Sequence, residues 1–240
     1  MGKIIRLLTS FQRDPSAALE EIKNYIDSRN PYSAFRKITN FDENGIPERA
    51  FIRHIDRLPP ESHFYFVPYQ WVSGKISNKK CLDAGCGMGS ATFYLAKFAG
   101  NMTGIDISEI AIDYAVRNYT LKNCIFEIMD IKNLMYPDSS FDVVTSFEVL
   151  EHLNHEDQIR YIREISRVLK SGGELFLSTP NKNLTDGKNS FHICELVEQD
   201  LRDLLSLFFT DIEIHGVTRD SRIIPDITTC NIIIGKCRKK

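Results

Sequence analysis

The stretch LDAGCGMGS at 82–90 holds the residues whose types and spacing most clearly suggest chemistry. Asp83 is followed by Gly85, Gly87 and Gly89 at alternate positions, with Cys86 inside the turn. Glycines in this pattern let a backbone turn tightly and come into contact with a ligand. The spacing is G-x-G-x-G, because Ser90 follows Gly89, so it is not the G-x-G-x-x-G of dinucleotide-binding folds. No Gly-Lys-Ser/Thr follows, which excludes a phosphate-binding P-loop. Two further acids stand at comparable places. Asp106, in GIDIS at 104–108, can accept both hydroxyls of a ribose. Asp130, in IMDIK at 128–132, can accept from an adenine amino group. Any one of these aspartates alone reads as a turn or cap residue. Three of them, in register with a glycine turn, read as a nucleoside-binding site.

A second constellation is EVLEH at 148–152. On a helix, Glu148, Glu151 and His152 fall at i, i+3 and i+4, on one face. Two chemistries suit them. His152 can act as a general base, since an imidazole titrates near working pH. Alternatively, Glu148, Glu151 and His152 can hold a divalent ion such as magnesium, with His192 of SFHICE (190–195) as a fourth ligand. The third reading is a helix start with solvated carboxylates. His152 and His192 are the candidate catalytic residues. Beyond them, STPNKN at 178–183 leads into a polar loop bordering the place an acceptor would occupy, where Phe191 and His192 could touch substrate.

These groups need strands and helices to position them. From residue 79 onward, short apolar strands alternate with amphipathic helices: strands at 80–84, 102–106, 124–129, 141–146, 174–178, 211–214 and 228–235, and helices at 90–98, 108–119, 156–169 and 196–208. Asn154 caps the third of these helices and Gly172-Gly173 ends it. The pattern predicts an α/β, Rossmann-like, mostly parallel seven-stranded sheet with helices on both faces and an antiparallel last strand. Residues 79–240 form that domain. Residues 1–78 form a helical extension or lid, with Ala18, Leu19, Ile22 and Ile26 at helical spacing and an aromatic stretch at 63–72.

The 240 residues are 42% hydrophobic and 26% charged, with a net charge of −2. That is too apolar for a disordered chain. The near-neutral charge argues against nucleic acid as the main partner. No run approaches the roughly 18 apolar residues of a membrane span. Residues 1–11 lack a sustained apolar core, so no signal peptide is read, and Arg6 breaks the myristoylation pattern. Six cysteines without C-x-x-C or zinc spacing suggest reduced thiols in a cytoplasmic protein. The sequence assigns no oligomeric state.

Residues 79–179 resemble the class I S-adenosylmethionine-dependent methyltransferases. The matching stretches are those at 82–90, 104–108 and 128–131, with FDVVTSFEVLEHL at 141–153 and RVLKSGGELFLSTPN at 167–181, in the family's order. The resemblance implies S-adenosylmethionine as cofactor. Gly85, Cys86 and Gly87 would approach its methionine part, and Asp83 would orient the loop or act through water. Asp106 would bind the ribose, with Ile107 against the adenine. Asp130 would take the adenine amine beside Ile131, and the chain around Phe147 would close over the methionine end. The E-x-x-E-H pattern is also similar to ubiquinone-biosynthesis O-methyltransferases and to small-RNA 2′-O-methyltransferases. Residues 47–72 resemble a lid of bacterial sugar and glycan methyltransferases. In-line transfer from a sulfonium mainly needs placement and exclusion of water, so no covalent nucleophile is required. The expected activity is methyl transfer to a hydroxyl of a small molecule, a sugar or glycan precursor being favoured, with an amine in second place. The alternatives are RNA 2′-O-methylation, a cofactor-binding module without catalysis and, furthest off, a nicotinamide dehydrogenase.

Overall fold

The computed structural model describes residues 65–185, 187 and 189–240. The helices expected before residue 65, and most of the proposed lid, lie outside these residues.

The chain begins its described course with a short helix, α1 (Val67–Ser73), which Pro68 starts and which buries Val67, Pro68 and Val72. Strand and helix then alternate as β1 (Lys80–Ala84), α2 (Ser90–Ala96), β2 (Asn101–Asp106), α3 (Glu109–Asn118) and β3 (Cys124–Ile128). β4 (Phe141–Phe147) follows, then a one-turn 3₁₀ segment (Leu150–His152), α4 (His155–Val168) and β5 (Leu169–Pro180). The chain closes with α5 (Glu198–Ser206), β6 (Phe209–Val217), β7 (Ile223–Ile224) and β8 (Ile232–Lys239).

The strands form one sheet in the order β3-β2-β1-β4-β5-β8-β6-β7. β1 to β5 run parallel, and β8 lies antiparallel between β5 and β6. The order reverses between β1 and β4, and ligands of open parallel sheets bind at the carboxyl ends beside such a switch. The count is eight rather than seven. The extra strand is the two-residue β7, which pairs back onto the end of β6 through Gly216↔Ile224 and Val217↔Ile223.

Most element ends fall within about two residues of where the sequence puts them, but the last strand runs over Ile232–Lys239 instead of 228–235. Asn154 caps α4, its Oδ1 accepting from Asp157 N at 2.9 Å. α4 buries Gln158, Tyr161, Ile162, Ile165 and Val168, an i, i+3, i+4, i+7 stripe against the sheet. The glycine pair does not end it. α4 stops at Val168, β5 starts at once with Leu169, and Gly172 (φ +71°) and Gly173 bend the strand instead. Side chains of α4 and α5 (Tyr161, Ile162, Ile165, Leu201, Leu205) join Leu82, Val144, Leu175 and Ile233 in the core on one face. On the other, Val72, Ile76, Leu95 and Met102 pack with Val143 and Phe176.

Candidate active site

The carboxyl ends of β1, β2 and β3 stand side by side. Asp83 pairs with Gly104 of β2, and Asp106 pairs with Ile128 of β3, two residues before Asp130. The three aspartates predicted to act together therefore do share one edge of the sheet. Their surroundings differ. Asp83 is buried and fully engaged, accepting from Thr92 Oγ1 at 2.5 Å and Thr145 Oγ1 at 2.8 Å. Burial pushes its pKa up, the two hydroxyls pull it down, and Asp106 nearby pushes it up again. Asp83 thus ties the glycine turn to α2 and β4. Thr92 and Thr145 carried no signal in the sequence beyond their helix and strand positions.

Asp106 accepts from Gly87 N at 3.0 Å and from Ser108 N at 2.9 Å. Ile107 beside it is 63% exposed. Asp130 holds its own turn through Lys132 N at 2.9 Å, with Ile131 next to it half-buried. Arg167 fixes the chain that follows, donating to the carbonyls of Leu134 and Tyr136.

In the glycine turn the amides of Gly85 and Cys86 both donate to Ile105 O. Gly85 has φ +85°, and a Cβ there would come within 2.5 Å of Val149. At Gly87 (φ +52°) a Cβ would meet nothing within 4 Å, so the turn faces open space at that point. The Cys86 side chain is turned inward, with its thiol donating to Gly87 O at 3.6 Å. Phe147, the last residue of β4, is buried and stacks edge-on against Tyr69 of α1 at 4.7 Å.

The second constellation lies just beyond Phe147. It is not the helix face the spacing predicts. Glu148 has φ +55°, and only Leu150–His152 makes a 3₁₀ turn. The positive φ swings Glu148 onto β5, where its amide donates to Ser178 O and its Oε1 accepts from Ser178 Oγ at 2.6 Å. Glu151 is 1% exposed and accepts from Thr179 Oγ1 at 3.1 Å. Its backbone carbonyl takes the amides of Ile193 and Cys194, which brings the loop of His192 onto the cluster. The groups of Glu151, His152 and His192 that can ligate a metal lie within 4.8 Å of one another. His192 is thus a member of the compact trio and Glu148 is not.

Both imidazoles are held through Nδ1, His152 by Phe191 O at 2.9 Å and His192 by the Glu195 carboxylate at 2.5 Å. Nε2 of His152 faces Glu151 Oε1 at 4.0 Å, and Nε2 of His192 meets the Asn189 amide at 2.8 Å. The rings stand 5.3 Å apart, edge to face. Glu195 and Asn189 were not picked out from the sequence, although their spacing of three residues on either side of His192 was the available sign. Burial pushes Glu148 up to about 7, the Ser178 hydroxyl opposing and Glu195 adding to the shift. Burial and then the charge of Glu148 raise Glu151 well above the carboxylate range. Gln158, wholly buried on α4, donates from Nε2 to Leu150 O at 3.0 Å and Cys194 O at 2.8 Å, bracing the turn and the loop together.

Comparison with known proteins places this geometry among related ones. A family model described as "Methyltransferase domain" matches residues 75–219. A probable S-adenosylmethionine-dependent methyltransferase of Mycobacterium tuberculosis is 34% identical over 165 residues, 65% of this chain and 58% of that protein. The chain therefore spans well under two thirds of that relative's length. A ubiquinone biosynthesis O-methyltransferase of Coxiella burnetii is 37% identical over 110 residues, 45% of this chain and 46% of the relative. Among solved structures, an N-methyltransferase of Bradyrhizobium japonicum, in complex with S-adenosyl-L-homocysteine, superposes with a TM-score of 0.61. The match covers 77% of this chain and 90% of that one at 20% identity, a likeness of fold.

Proposed function

We propose that this chain, which belongs to the class I S-adenosylmethionine-dependent methyltransferases, transfers the donor's methyl group to a hydroxyl of a small molecule. The observation that carries the choice of a hydroxyl is the trio Glu151, His152 and His192 beside the mouth of the donor site. A hydroxyl must lose its proton to be a good nucleophile, and this is what a braced imidazole or a bound cation helps it do. An ammonium acceptor would use the base but would be repelled by a cation, so the trio read as an ion site favours a hydroxyl.

In this reading the donor lies across the ends of β1, β2 and β3. Asp106 accepts its ribose hydroxyls beside Ile107, and Asp130 takes the adenine amine next to Ile131. Gly85, Cys86 and Gly87 pass its methionine end, Phe147 closes over that end, and Asp83 holds the turn in shape. His152, oriented by Phe191 O, receives the acceptor's proton on Nε2. His192 borders the acceptor and is fixed by Glu195 and Asn189.

The trio also fits a divalent ion. Metal–ligand bonds of about 2.0–2.2 Å set neighbouring ligands roughly 3–3.6 Å apart, so these groups, within 4.8 Å of one another, would draw in by about an ångström around an ion. One carboxylate and two imidazoles form the donor set such ions take, with His192 Nε2 exchanging its contact to the Asn189 amide for the ion while Glu195 keeps Nδ1. Glu151, His152 and His192 would hold the ion, which would lower the acceptor hydroxyl's pKa. Glu148 stays outside the trio and adds negative charge.

Sugar-bearing precursors remain the favoured acceptor class, on the resemblance of residues 47–72 alone, most of which precede the described residues. No described helix is long and apolar enough to cross a membrane. The six cysteines are free thiols, which supports the cytoplasm as the place of action.

The test is methyl transfer from labelled S-adenosylmethionine to matched hydroxylated and amino acceptors, nucleotide-linked sugars included, with and without chelator. Transfer to hydroxyls that stops in chelator and returns with Mg²⁺ or Mn²⁺ is expected. Turnover indifferent to chelator would remove the ion and leave His152 as base. Transfer to amines alone, or to RNA alone, would overturn the acceptor class.

A further inference from the structure

Helix α4 packs on the sheet through Tyr161, Ile162, Ile165 and Val168, and the first member of the same buried stripe is an amide, Gln158. Gln158 is wholly buried. Glutamine is seldom found so deep, because its amide gives up water on entering a core. Both hydrogens of Nε2 are used, one on Leu150 O at 3.0 Å and one on Cys194 O at 2.8 Å. Two carbonyls can be met only by the amide nitrogen, so the orientation of the group is fixed. Oε1 is then the one buried side-chain nitrogen or oxygen without a hydrogen-bond partner among the described residues. A buried acceptor left unmade costs free energy and calls for an explanation beyond packing. A methionine would fill the stripe without that orphaned oxygen.

The two carbonyls it holds are placed on either side of the acceptor cluster. Leu150 directly precedes Glu151 and His152. Cys194 lies two residues after His192 and just before Glu195, which holds His192 Nδ1 at 2.5 Å. The turn and the loop also meet each other directly, where Glu151 O accepts from Ile193 N at 2.7 Å and Cys194 N at 3.1 Å, and where His152 Nδ1 meets Phe191 O at 2.9 Å. Those ties join the two segments but leave the pair to shift as one. Gln158 adds a tie of another kind, since one side chain of a core helix grips both at once.

We propose that Gln158 is a positioning residue of the acceptor cluster, its amide setting the spacing between the Glu151–His152 turn and His192. It acts through two backbone carbonyls and not by contact with the acceptor. The orphaned Oε1 is the cost of placing two donors at that point. The inference rests on the reading of the trio given above.

The test compares wild type with Gln158→Met, an apolar side chain of similar length and flexibility. The first readout is the nuclear Overhauser contact between the rings of His152 and His192, which stand 5.3 Å apart, edge to face. The others are calorimetric affinities for Mn²⁺ and for S-adenosylhomocysteine. Gln158→Met should lose the ring contact and bind Mn²⁺ roughly tenfold or more weakly, the range for losing a group that orients metal ligands. Its affinity for S-adenosylhomocysteine should equal that of the wild type. An intact ring contact, or unchanged affinity for Mn²⁺, would overturn the proposal, and so would a parallel loss of S-adenosylhomocysteine binding, the mark of a general structural role. If the wild type itself takes no Mn²⁺, the ion reading of the trio fails and the ring contact alone decides the role of Gln158. In the wild type, the Gln158 side-chain amide protons should exchange with solvent as slowly as backbone amides of the core. Fast exchange would overturn the proposal even where the variant does not fold.

Discussion

The donor edge and the acceptor cluster adjoin at Phe147, yet they are built on opposite principles. At the donor edge each aspartate is held by hydrogen-bond donors of the protein. Asp106 takes the amides of Gly87 and Ser108, Asp130 takes that of Lys132, and Asp83 takes two threonine hydroxyls. The charges are spread over three strand ends, Asp130 satisfied within its own turn, Asp106 by Ser108 and the glycine turn, and Asp83 by threonines of α2 and β4. At the acceptor cluster, Glu148, Glu151 and Glu195 gather beside two imidazoles; burial raises the first two, Glu195 adds to both shifts, and Glu148 raises Glu151 further. A region whose polar groups are satisfied is preorganised for a ligand of fixed shape. A region with surplus, desolvated carboxylate is poised to exchange protons or take a cation. The difference teaches which half sets the cofactor and which half does the chemistry.

The sharpest way to break this division is His152→Ala. General acid–base catalysis contributes roughly a hundredfold or more. Turnover should fall by that order, and affinity for S-adenosylhomocysteine should not move. A joint loss of turnover and cofactor affinity would mean that the two regions are one.

A smaller effect separates them by pH. The folded-state pKa of Glu148 is raised to about 7, against an ordinary value of 4.5. A carboxyl shifted upward favours the folded state when protonated. Its contribution is fully present below pH 4.5 and is lost as pH rises through about 7. Glu148→Gln should therefore be more stable than wild type at pH 8, by on the order of 1–2 kcal/mol, with the advantage fading toward pH 5. Melting temperatures across that range check it, and a constant offset would show that Glu148 is not the titrating group.

The same division decides what could be read from the sequence. The donor edge was legible because its residues follow short strands in a fixed local order, and pairing of β1, β2 and β3 in register brings their ends together. The acceptor cluster was legible in its parts but not in its arrangement. The i, i+3, i+4 spacing of Glu148, Glu151 and His152 presumes a helix, and a positive φ at Glu148 breaks it. What assembles the cluster is long-range: Glu151 O to Ile193 and Cys194, Phe191 O to His152, and Gln158 across both. Nothing in the spacing of residues 148–195 encodes those contacts.

The account turns on where the adenosine of the donor is held, and calorimetric titration of Asp106→Ala with S-adenosylhomocysteine tests this most directly. Loss of charge-assisted hydrogen bonds to the ribose should weaken binding by about 1–3 kcal/mol relative to wild type. Affinity equal to that of the wild type would contradict it, because the ribose could not then lie at the end of β2.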